Sequence, residues 1–98
     1  DKQKQRVTDS YSFLTSFSKD KVIYGINTGF GPMAQYKIAG VEMEQLQYNL
    51  IRSHANGIGR HLKNPYVKAM MISRLHTLSL GFSGISIELA ETIEKFIN

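Results

Sequence analysis

Apolar residues recur every three or four positions in four separate stretches of this chain, and that spacing places them on one face of an α-helix. The apolar positions are, in chain order, Val7, Tyr11, Leu14 and Phe17; Met43, Leu46, Leu50 and Ile51; Val67, Met70, Met71, Leu75 and Leu78; and Leu89, Ile93, Phe96 and Ile97. Because such a face is buried when helices pack together, these residues form the predicted core. The sequence therefore predicts a mainly α fold with about four helices.

Residues typical of helix ends separate these stretches. The second predicted helix runs from about Val41 to Ala55 and is followed by glycines, which commonly end helices because they adopt left-handed backbone angles. Asn64 is the predicted N-cap of the third helix, and Pro65 suits its first turn. The last helix is predicted to begin near Ser86, after glycines have interrupted the third.

A glycine-rich segment lies between the first and second predicted helices. Val22, Ile23 and Tyr24 are β-prone and predict a short strand. The nine residues that follow, GINTGFGPM, contain three glycines and one proline, which predicts a loop. The loop lacks the Gly-Lys-Ser/Thr ending of a phosphate-binding loop, and Ala34 stands where the dinucleotide fingerprint needs its third glycine. Nucleotide binding is therefore disfavoured.

Tyr24 at the start of this loop has two possible roles. It could pack for its apolar area beside a wide turn. Alternatively, a phenol at a loop that approaches a ligand could act as a base, provided that hydrogen-bond donors or positive charge stabilise the phenolate. Composition alone does not decide between the two.

Length and charge exclude several classes of protein. The 98 residues suffice for one small domain, and the absence of cysteine excludes disulfides and is compatible with a reducing compartment such as the cytoplasm. The net charge of +4 is mild and its densest basic stretch, Lys2 to Arg6, is terminal, so we expect no nucleic-acid partner. No apolar run approaches the roughly 18 residues of a membrane span. The chain begins at Asp1 and ends in a helical pattern, so we expect a piece of a longer protein.

Three ordered segments resemble one enzyme family. Tyr24 to Gly31 reads YGINTGFG, Leu46 to Gly59 reads LQYNLIRSHANGIG, and Arg74 to Gly84 reads RLHTLSLGFSG. All three are similar to segments of the histidine and phenylalanine ammonia-lyase superfamily, in the family's order and at about its spacing. The resemblance is to the histidine ammonia-lyase type, and it weakens before Lys21 and after Ile87.

This resemblance implies a fold and a chemistry. The fold would be the N-terminal helical segment of the ammonia-lyase (L-aspartase-like) fold, and residues 1–98 would form a single N-terminal piece. Family members eliminate ammonia from an aromatic amino acid with a methylidene-imidazolone electrophile, formed from an internal Ala-Ser-Gly, and need no metal. They are homotetramers whose active sites combine several subunits. This chain contains no Ala-Ser-Gly, so we expect it to be inactive alone.

The resemblance also assigns site residues. Tyr24 would be the catalytic base that removes the β-proton, and Ser53, His54 and Gly31 would contact the substrate. A Ser-His pair is typical of histidine-type members, although some tyrosine-specific members are similar here. Without the resemblance, His54 is expected to be a helix-face histidine that caps or packs near the C-terminus of its helix. We expect the two side chains to diverge, since they are neighbours on a helix. His61 is expected to be exposed, and no metal-ligand spacing is present. An aminomutase using the same electrophile, or a non-catalytic helical interaction module, remains an alternative.

Overall fold

The computed structural model describes residues 1–38 and 40–98, and its regular structure consists mainly of four α-helices. The helices are α1 (Lys2–Phe17), α2 (Gly40–His54), α3 (Asn64–Ser79) and α4 (Ile87–Ile97), and a short 3-10 turn spans Gly31–Met33. The prediction of a mainly α fold with four helices is confirmed. None of the helices in the described residues is long and apolar enough to cross a membrane.

The chain divides into two compact units. Asp1–Phe17 and His61–Asn98 form the first, which contains α1, α3 and α4 and is called here the three-helix unit. Ser18–Arg60 form the second, which contains the glycine-rich segment and α2 and is called here the loop unit.

In the three-helix unit, α1, α3 and α4 pack pairwise against one another. Val7 of α1 and Leu78 of α3 are the buried apolar residues among those described, as their spacing predicts. Met70 and Phe96 are also predicted core residues, but both are exposed. The apolar faces predicted for α2 and α4 contain no buried residue, so the periodicity predicts the helices but overestimates the core that they form within residues 1–38 and 40–98.

The connection from α3 to α4 passes directly over α1. A Cβ atom built on Gly81 would lie 2.8 Å from Arg6 Cβ and 2.9 Å from the Arg6 carbonyl oxygen. The Gly84 N–H donates to Ser10 Oγ at 3.1 Å, and a Cβ at Gly84 would collide with the Leu14 side chain. Both glycines have positive φ angles, 81° and 63°, which favour glycine for a second reason.

Capping residues are predicted at the starts of α3 and α4, namely Asn64 and Ser86, and the structure confirms the second of them. Ser86 precedes α4, and its Oγ accepts a hydrogen bond from the Leu89 N–H at 3.3 Å, so this prediction is confirmed. Asn64 is not the N-cap of α3 but its first residue, and the cap is Lys63, whose side chain makes no capping hydrogen bond. No side-chain cap is needed, because Pro65 has no N–H and the Lys63 carbonyl accepts from Tyr66 N at 3.0 Å.

In the loop unit, the predicted strand at residues 22–24 is not formed. The Ile23 carbonyl accepts from the N–H groups of Ile26 at 3.1 Å and Asn27 at 3.2 Å, so the chain turns immediately. The extended pairing lies later, as an isolated antiparallel bridge between Thr28 and Lys37. A β-prone run without a partner strand gains no ladder hydrogen bonds, and here a local turn satisfies its backbone instead.

Candidate active site

Tyr24 lies on the first turn of the glycine-rich segment, with 64% of its surface exposed. The Gly31 N–H donates to the Tyr24 hydroxyl oxygen at 3.5 Å, a long hydrogen bond. The Phe30 ring meets the Tyr24 ring edge-on, with 6.1 Å between centroids and an interplanar angle of 79°. Gly25 and Gly31 have φ angles of 76° and 56°, so this path depends on glycine at both positions. The loop thus places a backbone donor against an exposed phenol.

Asn27 is a buried polar residue at the centre of this turn, with 7% of its surface exposed. Its Nδ2 donates to the Lys21 carbonyl at 2.7 Å and to the Ser18 carbonyl at 3.3 Å. Its Oδ1 accepts from the Ile23 N–H at 2.8 Å. The carboxamide therefore uses both of its donor hydrogens and one acceptor site to hold the backbone that leads to Tyr24.

Thr28 is more deeply buried, with 1% of its surface exposed. Its Oγ1 donates to the Gly29 carbonyl at 2.8 Å and accepts from the Gly25 N–H at 3.3 Å. Asn27 and Thr28 are not among the predicted site residues. The sequence signal for them is two polar residues between glycines, but that pattern is typical of most loops and gives no sign of burial.

Ser53 and His54 occupy the last turn of α2, and both are exposed. Their side chains do not diverge as predicted: Ser53 Oγ lies 3.0 Å from His54 Nδ1. The Leu50 carbonyl brings them together, because it lies 2.9 Å from Ser53 Oγ and 2.8 Å from His54 Nδ1. Both side chains reach back to the carbonyl of Leu50 on the same helix, and this shared acceptor overrides the simple rule for neighbouring positions.

The neighbours of His54 Nδ1 suit either tautomer of the imidazole, because Ser53 Oγ at 3.0 Å can donate to a bare Nδ1 and the Leu50 carbonyl at 2.8 Å can accept from Nδ1–H. A carbonyl oxygen cannot donate a hydrogen, so the 2.8 Å contact is a hydrogen bond when the proton resides on Nδ1. In that neutral tautomer Nε2 carries no proton and is a hydrogen-bond acceptor. In this form His54 can receive a hydrogen bond from an N–H or O–H group of a ligand.

The structure groups the predicted site residues into two pairs. Tyr24 contacts Gly31, and Ser53 contacts His54. Across residues 1–38 and 40–98, no hydrogen bond joins one pair to the other. His61 is exposed as predicted. The same described residues contain no cluster of three or more His, Cys, Asp or Glu side chains able to hold a metal ion.

Comparison with known proteins identifies the class of protein to which this loop and helix belong. The family model described as "Aromatic amino acid lyase" matches residues 1–98. The chain belongs to the aromatic amino acid lyase family, which confirms the family predicted from the three motifs.

Individual relatives are histidine-type members. The chain is 43% identical over 86 residues to a protein named "Probable histidine ammonia-lyase" from Thermoplasma volcanium, covering 88% of this chain. It is 44% identical over 78 residues to "Histidine ammonia-lyase" from Shouchella clausii, covering 80% of this chain. It is 41% identical over 99 residues to "Histidine ammonia-lyase 2" from Fusobacterium nucleatum, covering 100% of this chain. The matches span 17%, 16% and 19% of these relatives, so this chain corresponds to less than a fifth of their length.

Proposed function

We propose that this chain is the N-terminal segment of a histidine ammonia-lyase, which converts L-histidine into urocanate and ammonia. The observation that carries the proposal is the Tyr24 hydroxyl facing the Gly31 N–H, within a loop that matches the family. The names of the three relatives support histidine as the substrate. The protein would act in the cytoplasm as a homotetramer, as the family resemblance implies.

Tyr24 is the proposed base. Its phenolate oxygen would take a proton from the β-carbon of the substrate. This carbon becomes one of the two carbons that the new double bond joins. The Gly31 N–H is a backbone donor 3.5 Å from the Tyr24 oxygen, and it points at the atom on which the charge of the phenolate would lie. The exposure of Tyr24 in this unit leaves its ring accessible to groups supplied from outside residues 1–98.

The electrophile is one such group. The methylidene-imidazolone of the family would supply an electron-poor centre that activates the amino group for departure. It would come from an Ala-Ser-Gly outside this chain, because the sequence of residues 1–98 contains none. Residues 1–98 are compatible with an electrophile supplied from elsewhere, because they contain the proposed base, Tyr24, and no Ala-Ser-Gly.

Ser53 and His54 are the proposed contacts for the substrate side chain. In the tautomer with Nδ1–H held by Leu50, the neutral imidazole offers an acceptor at Nε2. An imidazole N–H of histidine satisfies such an acceptor, whereas the phenyl ring of phenylalanine leaves it unpaired, which costs affinity. The phenol O–H of tyrosine could also pair with it, so tyrosine ammonia-lyase is the second candidate activity.

A substrate panel with a tyrosine variant tests the proposal. The full-length protein is assayed by ultraviolet absorbance with histidine, tyrosine and phenylalanine, and we expect turnover of histidine. Tyr24→Phe should lower kcat by about 10²-fold or more, since it removes the proton acceptor. Tyr36→Phe is the matched control, because Tyr36 is an exposed tyrosine of the same unit whose hydroxyl makes no hydrogen bond in the described residues.

Three results would contradict parts of the proposal. Full turnover by Tyr24→Phe would remove this phenol from the mechanism. A preference for tyrosine would replace the substrate, and a β-amino acid product would indicate an aminomutase. Absence of product from all three substrates would favour the non-catalytic interaction module.

A further inference from the structure

We propose that Asn27 and Thr28 are positioning residues for Tyr24, acting through the backbone on either side of it. This inference rests on the proposed function, because it concerns the proposed base. Its basis is that the N–H groups immediately before and after Tyr24 are each held by a buried side chain of this pair.

The N–H before Tyr24 belongs to Ile23 and donates to Asn27 Oδ1 at 2.8 Å. The same carboxamide holds the Lys21 carbonyl at 2.7 Å from its Nδ2 and the Ser18 carbonyl at 3.3 Å. Three backbone groups upstream of Tyr24 therefore converge on one side chain that is nearly inaccessible to water. A buried carboxamide with three satisfied hydrogen bonds is costly to replace, because any group left unpaired must be desolvated without compensation.

The N–H after Tyr24 belongs to Gly25 and donates to Thr28 Oγ1 at 3.3 Å. The hydroxyl hydrogen is committed to the Gly29 carbonyl at 2.8 Å. The Thr28 hydroxyl therefore links Gly25, which follows Tyr24, to Gly29, which lies two residues before Gly31. One buried oxygen thus connects the backbone beside Tyr24 with the backbone that leads to Gly31, whose N–H faces the Tyr24 hydroxyl.

Asn27 and Thr28 are themselves anchored by backbone pairing. The Ile38 N–H donates to the Asn27 carbonyl at 3.1 Å, and the Gly29 N–H donates to the Tyr36 carbonyl at 3.1 Å, on either side of the Thr28–Lys37 bridge. Backbone hydrogen bonds to residues 36–38 therefore anchor Asn27 and Thr28, while their side chains hold the backbone on either side of Tyr24. Since the contact from Gly31 N to the Tyr24 hydroxyl is already 3.5 Å, a small shift of the turn would break it.

A role in positioning predicts an effect on kcat with little effect on KM, because Tyr24 is proposed to take a proton and not to bind the substrate. Misplacing a reacting group by about 1 Å can cost up to about 10²-fold in rate. General destabilisation of the loop would instead lower the amount of folded enzyme without this division between kcat and KM.

The test uses Thr28→Val and Thr28→Ser in the full-length protein, assayed with histidine. Valine has nearly the volume of threonine but lacks the hydroxyl, whereas serine keeps it. We expect Thr28→Val to lower kcat about tenfold or more with KM within about twofold, and Thr28→Ser to recover most of kcat. Thr92→Val is the matched control: Thr92 is exposed on α4, and its hydroxyl donates only to the Glu88 carbonyl of its own helix, so kcat should not change.

Asn27→Asp provides a second variant. The carboxylate can still accept from the Ile23 N–H, but it places an oxygen against the carbonyls of Lys21 and Ser18, where the amide donated. We expect the same loss of kcat. Asn49→Asp is the control, because the Asn49 Oδ1 only accepts from Gln45 Nε2, at 2.9 Å, on the exposed surface of α2.

The inference is overturned if Thr28→Val and Asn27→Asp keep the parental kcat, if KM changes instead of kcat, or if Thr28→Ser recovers nothing. It is also overturned if neither Thr28→Val nor Asn27→Asp yields folded protein by thermal unfolding, since the pair would then serve stability in general. Failure of the proposed function has a different signature, namely full turnover by Tyr24→Phe. If Tyr24→Phe is inactive while both pair variants behave as the parent, only the positioning role fails.

Discussion

Single residues set the closest approach between elements of the three-helix unit. Gly81 combines a φ of 81° with a position where a Cβ atom would meet the Arg6 backbone at 2.9 Å. Backbone atoms of a helix cannot move aside as the end of a flexible side chain can. The identity of this residue is therefore determined by its neighbour on α1 as much as by its own conformation.

We expect Gly81→Ala to destabilise the protein by about 1–3 kcal/mol, because it adds both a backbone strain and an overlap. Denaturant unfolding of the full-length protein measures this change in the free energy of unfolding. Gly40→Ala is the control: Gly40 is the first residue of α2, and a Cβ there meets nothing within 4 Å. A Gly81→Ala protein as stable as the parent would show that the connection does not lie against α1.

At the scale of elements, a single ion pair links the two ends of the sequence in the three-helix unit. Lys4 Nζ of α1 lies 2.9 Å from Glu91 Oε1 of α4. The hydrogen bond and the opposite charge raise the pKa of Lys4 and lower the pKa of Glu91. Both side chains remain about half exposed, so salt and water screen the interaction.

The pH dependence of this ion pair follows from the directions in which the pKa values of Lys4 and Glu91 are shifted. The lowered pKa of Glu91 means that its contribution is present above the ordinary pKa of a glutamate and is lost as the pH falls through the lowered value. The raised pKa of Lys4 means that its contribution is present below the ordinary pKa of a lysine and is lost as the pH rises through the raised value. The pair therefore stabilises the protein across the neutral range.

We expect Glu91→Gln to lower the thermal midpoint slightly at neutral pH and low salt. The difference from the parent should shrink in about 1 M salt, where charges are screened within a few ångströms, and in acid, where the parent also loses the charge. Glu44→Gln on α2 is the control, because this exposed carboxylate has no ion pair in the described residues. A difference that persists unchanged in acid and in high salt would exclude the ion pair as its cause.

At the scale of the whole molecule, the chain exposes much apolar surface for its size. Val7 and Leu78 are its buried apolar residues among those described, whereas Phe82, Phe96 and Ile58 are exposed. Exposed apolar surface of this extent is typical of contact regions for other polypeptide. The prediction that residues 1–98 form one N-terminal piece of a larger enzyme remains a proposal that this surface supports.

We expect the isolated 98-residue chain to bind a hydrophobic dye and to self-associate, and to give no urocanate from histidine. The dye signal per unit mass should exceed that of the full-length protein, in which further segments would cover the apolar faces. Fluorescence, sedimentation and an ultraviolet assay measure the three properties. Product from the isolated chain would contradict the assignment of the electrophile to residues outside it.

The sequence by itself determined the features that depend on local pattern. The three- and four-residue spacing of apolar side chains predicts all four helices, and Ser86 predicts the start of α4, because helix periodicity and capping act within a few residues. The motifs from Tyr24 to Gly84 identify the family, because they retain specific residues in a specific order.

The tertiary structure alone decided the features that depend on a neighbour distant in sequence or on burial. Periodicity gives a helix its apolar face, but only packing decides that Leu78 is buried and Met70 is exposed. Residues 22–24 are β-prone, yet a strand needs a partner, and here the Asn27 carboxamide folds that stretch into a turn. The hydrogen bonds from the N–H groups before and after Tyr24 to Asn27 and Thr28 have the same origin, because burial turns two ordinary loop residues into a hydrogen-bonded support.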